Sequence, residues 1–227
     1  MVVEDHTRLI SEPVDLVLQI ELHGALNPAI FRPAWFATNG LLRPADVASV
    51  EVGVVEDDFV QFRLPDFLID VTRDQFTLVS RNEALSLTHR DMVASLFGLL
   101  SHTPIRELTI SRAAWFAPPS ADARLDWSQV AANEVWEQLL NRPAIDRVTV
   151  LGSPDIGEFA AELTVEDSAR EEAPLLIRCI YSRALAEGED HVGPEVGPWL
   201  EKDWSDLYAH SNNVMDQLNR LLWKLGS

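Results

Sequence analysis

Apolar and polar side chains alternate with period two over residues 14–22, with Val14, Leu16, Leu18, Ile20 and Leu22 on one face. Asp15, Gln19 and Glu21 fall on the other. Successive side chains of a strand point to opposite sides of the pleat, so this pattern predicts a half-buried strand. Gly24 and Asn27-Pro28 end it. Residues 27–48 are apolar but irregular. Asn27 can cap a short helix with Pro28 in its first turn, while three prolines exclude a long one. Four short alternating runs then follow, at 50–55, 59–64, 67–71 and 75–79. Their connectors, such as Glu56-Asp57-Asp58 and Thr72-Arg73-Asp74, are short and polar, which predicts an antiparallel meander.

The period then changes to that of a helix. Met92, Val93, Leu96, Phe97, Leu99 and Leu100 form a wide apolar stripe over 89–101. Thr88 is its expected cap, with Asp91 three residues on, and Ser101-His102-Thr103-Pro104 its stop. Residues 105–115 read as a long strand with Leu108, Ile110 and Ala114 on one face; Arg106 and Arg112 break the pattern. Ala117-Pro118-Pro119-Ser120-Ala121-Asp122 is the expected linker between two sub-halves, about 14–117 and 124–225, of one domain. The second half repeats the grammar: a helix at 127–141 capped by Asp126 or Ser128, and strands at 145–151, 158–165 and 174–182. An acidic loop with Glu187, Glu189 and Asp190 precedes a last helix at 198–225. Its stripe through Leu200, Trp204, Leu207, Met215 and Leu222 is long enough, at about 1.5 Å per residue, to cross a sheet. The expected class is α+β: largely antiparallel sheet, packed by two medium helices and one long C-terminal helix. An internal echo, Arg32-Pro33-Ala34-Trp35-Phe36-Ala37 against Arg112-Ala113-Ala114-Trp115-Phe116-Ala117, raises the question of duplication.

Composition narrows the function classes. The 227 residues carry a net charge of −18 and are 47% hydrophobic. That apolar content excludes a disordered acidic tail. The acidity argues against a stand-alone nucleic-acid binder, which needs a basic face. One cysteine excludes a disulfide framework, and Cys179 is expected to be a buried, reduced thiol. The acidic start, broken by Pro13, lacks the features of a signal peptide. No apolar run approaches the ~20 residues of a membrane span. The expectation is a cytoplasmic protein that touches neither membrane nor nucleic acid.

Motifs of catalysis are missing: no Gly-rich phosphate loop, no nucleophile elbow, no His-Glu-x-x-His. The six histidines lack helical ligand spacing, so no metal or cofactor is expected. Ser101 and His102 are neighbours at a helix end, where such groups satisfy the last carbonyls rather than forming a dyad. Trp136, Trp204 and Trp223 have helical partners and are expected in the core. The adjacent pairs Trp35-Phe36 and Trp115-Phe116 cannot bury both rings on one side. They are the candidate partner-binding residues.

Four stretches carry a family likeness: Pro33 to Ala37 continuing through Asn39-Gly40-Leu41-Leu42-Arg43-Pro44; Val71-Thr72-Arg73-Asp74-Gln75-Phe76; Leu99 to Ile105; and Trp136-Glu137-Gln138-Leu139-Leu140 with Pro143. Together they are similar to a widespread bacterial family of uncharacterised proteins, over residues 14–182. The resemblance implies structural motifs and no transferable catalytic residue. It also implies Gly-Ile-Asn on the strand after the Thr-Pro stop, where this chain has Leu108-Thr109-Ile110-Ser111.

The functional expectation is a non-enzymatic interaction or regulatory protein, partnered by another protein or by itself as a homodimer, in a setting such as phage defence or a toxin–antitoxin pair. The alternative is a peptide- or small-molecule-binding module of SecB-like or helix-grip type, with its groove between sheet and terminal helix. A hydrolase centred on His102 or His191 is the third.

Overall fold

The computed structural model describes residues 11–130, 145–184 and 196–225. β1 (Pro13–Gly24) carries the first alternation, and its even-numbered residues Leu18, Ile20 and Leu22 are buried. A single 3-10 turn follows at Pro28–Ile30, with Asn27 Oδ1 accepting from the Ala29 N–H. Two short helices, α1 (Pro33–Thr38) and α2 (Pro44–Val47), each start on a proline. The meander is β2 (Glu51–Val55), β3 (Phe59–Arg63), β4 (Phe67–Thr72) and β5 (Gln75–Ser80).

A second 3-10 turn, Glu83–Leu85, runs straight into α3 (Ser86–Leu99), so Thr88 lies inside the helix and is not its cap. The continuous backbone of the turn takes the place of a side-chain cap there. β6 (Ile105–Phe116) and the three-residue β7 (Ala123–Leu125) come next. Asp126 caps as expected, accepting from the Ser128 N–H, but over the 3-10 turn Trp127–Gln129. The expected helix beyond it, and the acidic loop at 187–194, lie outside the described residues. β8 (Arg147–Gly152), β9 (Ala160–Asp167) and β10 (Leu175–Ala184) lead to α4 (Val196–Leu222) and β11 (Trp223–Leu225). The terminal helix thus ends three residues sooner than its stripe predicts. The reason is β7: its ladder takes Trp223 opposite Leu125, and the Asp126 N–H donates to the Leu222 carbonyl at 2.8 Å.

Nine strands make one sheet in the order β2-β3-β4-β5-β1-β6-β10-β9-β8, every neighbouring pair antiparallel. The two halves follow one scheme. A long first strand pairs with the last strand of a later meander, and a helix follows: β1, β5 and α3 in one half, β6, β10 and α4 in the other. The first strands pair with each other antiparallel at the sheet's centre, Leu18 opposite Arg112 and Ile20 opposite Ile110. The Arg32 and Arg112 echo does not mark this doubling, since one copy is helix α1 and the other the end of strand β6.

The described helices gather on one face. Phe36 of α1 stands edge-on to Phe62 of β3, and Phe97 of α3 edge-on to Phe76 of β5. α3 and α4 pack side by side, and α4 also crosses β6 and β10. Burial of apolar area drives this layering, and the buried apolar residues of both halves form one cluster. Among the described residues, no helix is long and apolar enough to cross a membrane.

Candidate functional site

Arg112 occupies a position on β6 where the alternation calls for an apolar residue. It shares the core face with Leu108, Ile110 and Ala114 and lies between Leu18 of β1 and Cys179 of β10, only 4% exposed. A buried charge survives only when paired and fully hydrogen-bonded, and its surroundings supply both. Glu83, on the turn before α3, takes Nη2 in an ion pair. Nη1 donates to Ser211 Oγ, to Asn212 Oδ1 at 2.6 Å and to the Tyr208 carbonyl at 3.4 Å. The guanidinium lies 3.9 Å from the centre of the Tyr208 ring, a cation–π contact. One turn of α4 therefore holds the arginine from above.

Beside it opens a pocket of about 290 Å³ between the start of β1, β6 and α4. Leu16, Ala114, Phe116 and Met215 give it apolar walls, with Arg112 and Asn212 among them as hydrogen-bonding groups. Glu12, Asn212 and Asp216 are exposed lining residues and mark its mouth. Asn219, fully buried one turn beyond Met215, ties the helix to the chain's start: Nδ2 donates to the Ser11 carbonyl at 2.7 Å, and Oδ1 accepts from the Trp223 indole at 2.9 Å.

More polar groups lie under α4. The Tyr181 hydroxyl shares a 2.8 Å hydrogen bond with His210 Nδ1, and burial pushes that hydroxyl far above its ordinary range. Burial also pushes the Cys179 thiol up to about 11, so it stays protonated at neutral pH, a free and inert cysteine. Farther along the helix, buried Asp203 stands 3.5 Å from Arg183, which also bonds Glu158 and lies over Trp199. Gly157, at φ 54°, passes so close that a Cβ there would lie 2.7 Å from Asp203 Oδ2. His89 is buried against Phe67, and desolvation lowers its pKa.

The four aromatic candidates divide between two places. Phe36 is fully buried, and Trp35 covers it edge-on at 5.7 Å, half-buried on the helical side of the sheet. Phe116 is buried too and forms a wall of the pocket. Trp115 points to the opposite face, under the Arg170 guanidinium at 4.1 Å, and Arg170 bonds Asp15 at 2.9 Å. Trp35 and Phe36 thus pack together on one side of the sheet, whereas Trp115 and Phe116 point to opposite faces, and only Phe116 reaches the pocket. His102 sits exposed in the turn before β6, at the opposite end of that strand from Phe116. His191 lies outside the described residues. Among the described residues, no three potential metal ligands come together.

The alternation had marked Arg112 as an interruption. In the structure it keeps the period and changes only the chemistry, because α4 brings partners from a hundred residues away. Glu83, Asn212 and Asp216 carry no sequence signal of their own. No family model matches this chain, and no curated protein does.

Proposed function

We propose that this protein is a non-enzymatic binding module that takes a peptide segment or a small molecule in the pocket between the sheet and its terminal helix. The observation that carries this reading is a buried arginine at the side of a roomy, half-apolar pocket. Pockets of roughly 300 Å³ and more, apolar with a few placed polar groups, are the usual form of small-ligand sites. A core built only for stability would do as well or better with an apolar residue at Arg112.

The charges suggest which ligand. One guanidinium faces the three carboxylates of Glu12, Glu83 and Asp216, so the lining is net negative, like the whole chain at −18. Glu83 and Arg112 neutralise each other, which leaves Glu12 and Asp216 at the mouth. A cationic group on an apolar body fits this arrangement: the body against Leu16, Phe116 and Met215, the charge at the mouth. A negative mouth also speeds the arrival of cations.

Calorimetric titration with short basic, apolar peptides and with their acidic counterparts tests the reading. Saturable binding of the basic set alone is expected, weakened about tenfold by Asp216→Arg. An absence of binding by both sets, or equal binding by Asp216→Arg, would remove the pocket from consideration.

A further inference from the structure

The pocket beside α4 has a stretch of its own chain at its rim. Ser11 and Glu12 are lining residues, and residues 1–10, which lie outside the described residues, lead directly into them. Ser11 is fastened on two sides: its hydroxyl donates to the Ala117 carbonyl, and its own carbonyl accepts from Asn219 Nδ2 at 2.7 Å. Residue 10 therefore starts at the wall of the cavity. An extended chain advances about 3.4 Å per residue, so residues 8–10 reach about 10 Å from that anchor. That is enough to cross a cavity of about 290 Å³. These residues are Arg8-Leu9-Ile10, a guanidinium followed by two large apolar side chains.

We propose that residues 8–10 are the resident occupant of this pocket, with Leu9 and Ile10 against Leu16, Phe116 and Met215, and the Arg8 guanidinium at the carboxylates of Glu12 and Asp216. This deepens the reading of the pocket as a site for a cation on an apolar body, on which it rests, by adding regulation: an outside ligand binds only by displacing the chain's own residues. Tethering favours this occupant over a free one, since a segment joined by so short a link acts at an effective concentration on the order of millimolar. Burial of two aliphatic side chains supplies the drive. Charge agrees, because Arg8 is the one Lys or Arg among the first twelve residues and the lining is net negative. Glu4 and Asp5, six or more residues before Ser11, are far enough from the anchor to stay in solvent beyond the mouth. The fold makes the same kind of entry once already. At β6 the Pro104 carbonyl, just before the strand, accepts from the Ala25 N–H just past the end of β1, and Leu100 upstream packs against the core. At β1, Ser11 is tied in the same way to Ala117, just past the end of β6, and Leu9 and Ile10 stand upstream.

Methyl NMR with labelled methionine tests the occupancy without any outside ligand. The chain has three methionines: Met1 in the segment, Met92 in α3 and Met215 in the pocket wall. Leu9→Asp in the whole chain, and removal of residues 1–10, are each expected to move the Met215 methyl resonance and to leave that of Met92 in place. A synthetic peptide of residues 1–10, added in excess to the shortened chain, returns the Met215 resonance toward its first position. The basic, apolar peptides of the calorimetric titration then bind the shortened chain about tenfold more tightly than the whole chain. Circular dichroism confirms that each variant is folded. A Met215 resonance that stays in place in both variants overturns the proposal. Equal binding of the peptides by the whole and shortened chains overturns it too, while leaving the binding reading intact. A Met215 methyl that moves while neither chain binds a basic peptide upholds the occupancy and removes the reading of the pocket as a site for outside ligands.

Discussion

The two halves of the sheet share a scheme and differ in what they bury. Under α1 and α3 the core is aromatic: Phe31, Phe36, Phe62, Phe76 and Phe97 lie within ring contact of one another, all fully buried. Under α4 the corresponding layer holds Arg112, Cys179, Tyr181, Asp203, Ser211 and Asn219, all buried. The first layer is held mainly by shape, with few buried polar side chains, His89 among them. The second carries polar groups that need partners, and the bonds from Arg112 to Tyr208, Ser211 and Asn212, between Tyr181 and His210, and from Asn219 to Ser11 fix α4 in place. A helix held in this way can keep a pocket open beside it, which an oil-like contact would close. The proposed site therefore lies where burial was costly rather than where it was easy.

The strongest challenge to that contrast is to weaken the aromatic half. Phe76→Ala removes a fully buried ring touching Phe31 and Phe97 and is expected to cost about 3–5 kcal/mol in chemical denaturation. Ligand binding in what remains folded should be unchanged. Loss of affinity greater than loss of folded protein would show that the halves do not divide their tasks.

The polar half is tested by a pair of variants. Glu83→Gln strips the counter-charge from a buried guanidinium and should destabilise by about 3 kcal/mol. Arg112→Met removes the one cation from the lining and leaves it more negative, so the basic peptides should bind at least as tightly in the titration as long as the chain stays folded. If Arg112→Met unfolds the chain, the arginine is structural and the proposed role of the pocket fails with it.

A pH scan sharpens the same comparison. The Cys179 thiol titrates near 9.0 when unfolded and at about 11 when folded, because burial disfavours its thiolate. The folded state therefore holds the proton longer. Stability from this group is complete below pH 9 and falls by about 1.4 kcal/mol per pH unit up to 11. Cys179→Ala should flatten that fall. Maleimide should label Cys179 at neutral pH only as fast as the sheet opens.

Much of the scaffold was legible in the sequence because single-face burial writes itself as a period. Leu18, Ile20 and Leu22 announced β1, and the polar connectors announced the meander. The long stripe from Leu200 to Leu222 announced α4. The failures were of a different kind. β7 and β11 are three residues each, too short for a period, and exist because they find one another across a hundred residues. The Thr88 cap gave way to a continuous turn. Of the site, the apolar walls were visible as core positions, and Phe116 was singled out for another reason. The polar half was hidden, since Arg112, Glu83 and Asn212 acquire meaning only when three distant elements converge.

The pairing of β1 with β6 also has a consequence for synthesis. The first eighty residues can close β1 to β5 into a five-stranded sheet as they leave the ribosome, but the other side of β1 has no neighbour until residues 105–116 are made. During that interval the nascent chain carries a twelve-residue naked margin, the most association-prone surface it ever shows. Polysomes translating this message would bring such margins close together, and the acidity of the chain keeps unfinished molecules apart by the same repulsion that keeps finished ones soluble.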